Sequence, residues 1–320
     1  MHGPEWGIIA VGLLFTGIRL AVPLLLAALG ETLAEKAGVI NVGMEGMILG
    51  GALAGFAAAY SSHNPWLGAG AAALAGMALA AIFAVLAVVL GADQVVVGTA
   101  INILALGLTG VFFRALPQLS GASASAFAPL TLPFLHSGHT LDHFSTLAVQ
   151  LGAALLEQNA IGWLAWASVP LLWLYLYRTR AGLRLRAVGE YPDAADGAGV
   201  RVGRVRVGAV LAGGGLAGLA GAYLSIGYTN GFVENMSAGR GFVALAVVIL
   251  GRWNPFGVAG AALLFGLAFA LQFEFQAVST RFPYQFFLAL PYLLTLLALL
   301  MRSRFHSAPP AALGEAYRRG

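Results

Sequence analysis

The chain has 320 residues, of which 59% are hydrophobic and only 9% charged, with mean hydropathy +0.84 and formal net charge +4. Soluble domains carry charge on about a quarter of their residues, so this inventory cannot cover a surface in contact with water. The pattern predicts an all-α polytopic membrane protein, and the absence of cysteine excludes disulfides, thiolate metal sites and cysteine nucleophiles.

The N-terminal MHGPEWGIIAVGLLF has no Lys or Arg before Arg19, so it lacks the positive region of a cleaved leader and reads as a retained first helix. Apolar runs then predict about nine spans, near 8–29, 40–60, 66–91, 94–113, 160–177, 207–227, 239–252, 256–275 and 283–301. Between the first two lies EKAGVINVGMEG, residues 35–46, which holds the only lysine of the chain. Glu35 and Lys36 are expected in a solvated connection at one face. Gly38 to Gly46 is expected to be a broken start to the next helix, carrying Asn41 and Glu45 towards the bundle interior.

Basic residues set the predicted orientation. The segment 178–206 carries seven of the seventeen (Arg178, Arg180, Arg184, Arg186, Arg201, Arg204, Arg206), and the tail adds Arg302, Arg304, Arg318 and Arg319. Both segments are expected on the cytoplasmic side, with the N-terminus outside and the C-terminus inside. The chain then divides into a first half (8–113), an outer loop (114–159), a cytoplasmic segment (178–206), a second half (207–301) and a cytoplasmic tail (302–320). In the outer loop His136, His139 and His143 read as solvated histidines rather than as metal ligands. Within the cytoplasmic segment, GEYPDAADGAGV suits a brief helix, with Pro192 in the first turn, Asp193 beside it, and Gly197 and Gly199 to end it.

An internal echo joins the halves. NPWLGAGAAALAGM at 64–77 and NPFGVAGAALLFGL at 254–267 match at an offset of 190, including Gly70/Gly260, Ala72/Ala262 and Gly76/Gly266. The predicted topology puts the two copies at opposite faces, as in the inverted repeats from which transporters build a central site. Polar residues inside apolar runs mark candidate linings: Glu45, Gln94, Asn102, Asn235 and Arg240. Glu274 lies near a span end and reads as an interfacial side chain. The chain contains no G-x-x-x-x-G-K-[ST], H-E-x-x-H or G-x-S-x-G motif, so no ATP-binding loop or hydrolytic centre is expected.

GETLAEKAGVINVGMEGMILGGALAG (30–55), ADQVVVGTAIN (92–102), GLRLRAVGEYPDAADGAGV (182–200) and GRGFVALAVVILGRWNPFG (239–257) together resemble the permease subunits of bacterial ATP-binding-cassette importers. The resemblance is to the branched-chain amino acid and ribose permease family, in its nucleoside-type branch, and covers about residues 15–305. It implies a type II importer in which this subunit pairs with a second permease. It also implies a partner ATPase that holds the ATP and magnesium, and an extracytoplasmic substrate-binding protein. No cofactor or catalytic residue is then expected in this chain. Segment 178–206 would carry the coupling helix, with Glu190, Asp193, Ala194 and Ala195 against the ATPase. The cavity would be lined by Asn41, Glu45, Asn102, Arg240 and Phe242, whose aromatic and amide groups suit a base and ribose. Sugar permeases of the family usually carry one more helix before the segment matching 8–29, so its absence favours the nucleoside-type branch. Sugars, riboflavin-like heterocycles and branched-chain amino acids are the other cargoes of this kind. An ion-coupled carrier using Glu45 as its titrating carboxylate is the alternative from another class.

Overall fold

A computed structural model of the chain describes residues 3–116, 121–127, 158–278 and 309–317, with isolated positions at 289, 293, 296 and 300. The predicted span 283–301, most of the loop 114–159 with its three histidines, and the start of the tail lie outside the described residues. Every regular element among the described residues is helical.

The helices are α1 (Gly3–Lys36), α2 (Met44–Ser62), α3 (Pro65–Phe83), α4 (Gln94–Ala115), α5 (Ala160–Arg178), α6 (Arg180–Glu190), α7 (Pro192–Gly197), α8 (Val202–Ala222), α9 (Arg240–Leu250) and α10 (Pro255–Val278). α3 and α8 each continue into one π-helical stretch, Ala84–Val89 and Tyr223–Tyr228. The starts follow ordinary capping chemistry. Asn64 accepts a hydrogen bond from the Trp66 N–H, Asp93 from Val95 and Val96, Asn159 from Gly162, and Thr179 from Gly182.

Six described helices are long and apolar enough to cross a membrane: Gly12–Lys36, Pro65–Val89, Gln94–Ala115, Ala160–Arg178, Val202–Tyr228 and Pro255–Glu274. The sequence reading differs from this in three places among the described residues. The predicted span 40–60 corresponds to α2, which starts only at Met44 and is not among the six. The first span does not end at 29, because α1 stays helical through Lys36 and carries Glu31 and Glu35 into the bundle. The predicted span 239–252 is only the 11-residue α9, about 16 Å long at 1.5 Å per residue. It starts at Gly239, with φ +80, and left-handed backbone at Arg252 and Trp253 follows its end, so α9 crosses about half of the apolar core.

Burial separates an inner from an outer set. The α1 span is 67% buried and the α8 span 61%, against 28% for α4 and for α5. α1, α2 and α8 therefore form the centre, while Leu67, Leu74, Ile103, Val111 and Leu171 project outward, as lipid-facing side chains do. Glycines let the central backbones touch. A Cβ at Gly30 of α1 would stand 2.7 Å from the Gly213 carbonyl oxygen of α8. The two repeat copies also pack alike. Asn64 and Asn254 each cap a helix whose first residue is proline. Gly76 rests on Gly214 and Gly218 of α8, and Gly266 rests on Gly17 and Ala21 of α1.

The two ends of the bundle are defined by contacts. At one end, the α1 terminus, residues 37–41, α6, α7, the start of α8 and the tail 309–317 meet. At the other, Asn159 donates to the Gly227 carbonyl, Ala124 donates to the Asn230 carbonyl, and Trp66 packs edge-on against Phe127.

Candidate functional site

Two non-helical stretches, a mostly buried one before α2 and a mostly exposed one before α9, meet at Glu45. Residues 37–43 are almost fully bonded, as unwound backbone away from water must be. The Ile40 N–H donates to Gln94 Oε1 at 2.8 Å and the Asn41 N–H to Glu31 Oε1 at 2.8 Å. Asn41 Oδ1 accepts the Gly43 N–H at 3.1 Å. Asn102 of α4 works in both directions, donating to the Val42 carbonyl at 2.9 Å and accepting the Gly46 N–H at 2.8 Å. The second stretch, 229–239, runs through left-handed residues Asn230, Asn235, Ala238 and Gly239 before α9 begins.

Glu45 closes the join. Its Oε1 accepts the Gly239 N–H at 2.7 Å and its Oε2 accepts the Gly241 N–H at 2.6 Å. The carboxylate therefore fills the start of α9, where the helix dipole and unbonded amides favour negative charge. Gly241 is required for the contact, since a Cβ there would stand 2.6 Å from the Glu45 Cα.

Beside this join lies a cavity of about 280 Å³ lined by Glu45, Gly46, Leu49, Asn102, Asn235 and Phe242 among others. Three of the five expected lining residues, Glu45, Asn102 and Phe242, are thus brought together, with Phe242 half-exposed. Two are not. Asn41 is fully buried and faces Met44 and Met47 with its amide nitrogen, because it turns the chain from α1 into α2. Arg240 braces the 229–239 stretch by donating to the Met236 and Ser237 carbonyls, with its guanidinium 5.9 Å from the Phe269 ring centre. Asn235, a candidate from its position alone, joins the lining.

The expectation that Glu35 sits in a solvated connection is overturned. It is 3% exposed and accepts the indole N–H of Trp253, because α1 runs about two turns further than its apolar pattern suggests. Arg206, read as one of the orientation-setting arginines, is 2% exposed and donates to the Ala37 and Glu315 carbonyls. The sequence offered one hint for it, a lone arginine between valines at the head of an apolar run.

At the coupling end, Pro192 opens α7 at its first position and Gly199, with φ +83, follows its end. Glu190, Asp193 and Ala194 are exposed. Ala195 is buried with Val188 and Val202, so it anchors α7 and leaves its two predecessors to face outward. Trp173, Tyr177, Arg178 and Arg186 gather near the same end, with Arg178 over Trp173 and Arg186 over Tyr177, an aromatic and basic belt suited to a membrane boundary.

Residues 13–299 match the family of branched-chain amino acid transport system permease components. A provisionally named glucose ABC transporter permease of Haloferax volcanii is 39% identical over 84% of this chain and 79% of its own. A guanosine permease of Bacillus subtilis is 35% identical over 87% and 88%, and a nucleoside permease of Lactococcus lactis 33% identical over 88% and 89%. No solved structure matches. Such permeases work with ATPase and substrate-binding partners, which replaces the ion-coupled alternative. The match of nearly the whole chain, on a bundle of apolar helices, makes this protein a member of that family and the permease component of an ABC transporter.

Proposed function

We propose that this permease imports nucleosides. The observation that carries the reading is the cavity at the join of the two broken segments, where Phe242 stands beside the amides of Asn102 and Asn235. An aromatic face stacks a base, and amides answer the donors and acceptors on a base edge and a ribose. The guanosine and nucleoside permeases among the relatives support it. The Haloferax relative favours a second reading, a hexose, which the amides would also suit but which gives Phe242 less to do.

In this reading a second permease completes the pathway, and a substrate-binding protein delivers cargo to the outer face. A partner ATPase, holding the ATP and magnesium, docks on α7 through Glu190, Asp193 and Ala194, in the cytoplasmic membrane of a bacterium with the N-terminus outside and the C-terminus inside. The two repeat-related halves rock against each other, and the cavity opens to each side in turn. The chain itself does no chemistry on its cargo.

The test is uptake by vesicles carrying the complete transporter, with labelled guanosine, uridine and glucose in competition. Nucleoside uptake that glucose does not reduce supports the reading, and glucose uptake that nucleosides do not reduce replaces it. For the docking surface, Ala194→Trp should assemble with the ATPase poorly or lose ATP-driven uptake. Normal coupling in that variant removes α7 from the contact.

A further inference from the structure

We propose that the C-terminal tail, residues 309–317, is both part of the surface that receives the ATPase and the link tying that surface to the pathway. The proposal rests on the reading of α7 as the docking helix. The tail is pinned to three separate elements. The Ala312 N–H donates to the Gly189 carbonyl at 2.9 Å and the Ala311 N–H to Glu190 Oε2 at 3.2 Å, which fastens it to α6. Its Glu315 carbonyl accepts from Arg206 Nη1 at 2.6 Å, which fastens it to α8. The Gly314 N–H donates to the Gly38 carbonyl at 3.1 Å, which fastens it to the break before α2.

Burial follows the same plan. Ala312 is 3% exposed, and Tyr317 packs on Val188, Ala195 and Val202. These are the residues that seat α7, so the tail forms one wall of the α7 mount. Ala311, Gly314, Glu315 and Ala316 remain exposed on the same side as Glu190 and Tyr191. Tyr191 is 71% exposed, a large aromatic of the kind that anchors interfaces, and it lies immediately before Pro192. The surface offered to a soluble partner is therefore composite: Tyr191, the exposed side of α7 and the outer edge of the tail.

The inward route is short. From Gly38 the chain passes to Ile40 and Asn41, whose N–H groups are held by Gln94 and Glu31, and then to Asn102 and the Glu45 cap. Gly314 occupies the critical contact, with φ +82 and Ile40 Cδ1 at 3.2 Å from where a Cβ would stand. A side chain there strains the tail backbone and pushes against Ile40 together.

Three variants of the complete transporter test this in vesicles, read by ATPase co-purification, ATP hydrolysis stimulated by loaded binding protein, and uptake. Gly314→Val should keep the complex together and lower uptake per ATP at least fivefold. Deletion of 309–320 should lower co-purification of the ATPase as well. Val202→Cys with Tyr317→Cys, joined by a short thiol cross-linker in this cysteine-free chain, should retain at least half of the uptake, because both positions lie in the inner packing of the α7 mount and the cross-link holds the tail where it already rests. Wild-type uptake per ATP in Gly314→Val overturns the proposal, as does a cross-link that stops transport. If the deletion does not accumulate in the membrane, the two full-length variants decide. Loss of coupling in Ala194→Trp with normal tail variants defeats the tail alone. Normal coupling in all of them defeats the docking reading with it.

Discussion

The two breaks in the helical bundle solve one problem in opposite ways. The stretch before α2 is buried and cross-braced, its polar groups taken up by Glu31, Gln94 and Asn102 from two helices. The stretch before α9 is mostly exposed and relies on its own short turns, such as Met236 N–H to the Val233 carbonyl and Ala238 N–H to the Asn235 carbonyl. Its external ties include Glu45 at its end, the Ala124 N–H on the Asn230 carbonyl, the Phe113 ring against Phe232, and a paired contact in which Arg114 Nε and Nη2 each donate to Glu234 at 2.9 Å. A segment braced by buried side chains moves as part of its helices. One held by exposed turns opens at little cost. The first break is thus fixed to its helices, and the second, whose Asn235 and Gly239 border the cavity, is the more weakly held.

The largest way to break this contrast is Glu45→Ala. It leaves two buried amides and a helix start unanswered, at a cost of about 3 kcal/mol. Uptake should be lost and the α9 start should become accessible to hydrogen exchange, while Glu45→Gln should recover part of the order. Next comes Arg206→Ala, which removes two buried bonds between α8, the first break and the tail. It should cost about 2 kcal/mol and lower the thermal unfolding midpoint of the purified complex by several degrees without changing which cargo is preferred.

Phe242→Ala should leave folding intact and lower nucleoside uptake about tenfold, the loss of one stacking face. An aromatic replacement, Phe242→Tyr, should retain most of it. The smallest effect belongs to the Arg114–Glu234 pair, both of whose members are solvent-exposed. The guanidinium holds the Glu234 carboxyl below its ordinary value of 4.5. A lowered carboxyl contributes order that is present above the ordinary value and fades as pH falls through the lowered one. A spin label in the 229–239 stretch should therefore loosen only in acid below that value. Glu234→Gln should abolish the pH step, and high salt should blunt it.

Much of this was legible in the residues. Composition gave the class, the Asn-Pro pairs gave two helix starts that pack alike, and PDAADG gave α7 with its boundaries. Glu45, Asn102 and Phe242 converge on one cavity as their positions suggested. Hydropathy could not show that α1 keeps its helix through Glu31 and Glu35, because those carboxylates are accommodated by specific partners, the Asn41 backbone amide ten residues on and the Trp253 indole from far along the chain. The same blindness hid Arg206, whose acceptors are backbone carbonyls on two other segments. Short α9 was mistaken for a full span because its apolar run continues, in composition, through turns that end it at Gly251, Arg252 and Trp253.

The capped start of α9 also bears on what the pathway refuses. A helix beginning is a ready receptor for phosphate, and the start of α9 borders the cavity. Here the molecule has plugged that receptor with its own carboxylate. A phosphorylated cargo would have to evict Glu45 and leave it unpaired at membrane depth, or remain beside it as like charge. The two hydrogen bonds that tie α2 to the start of α9 would, on the nucleoside reading, also disfavour a phosphorylated cargo.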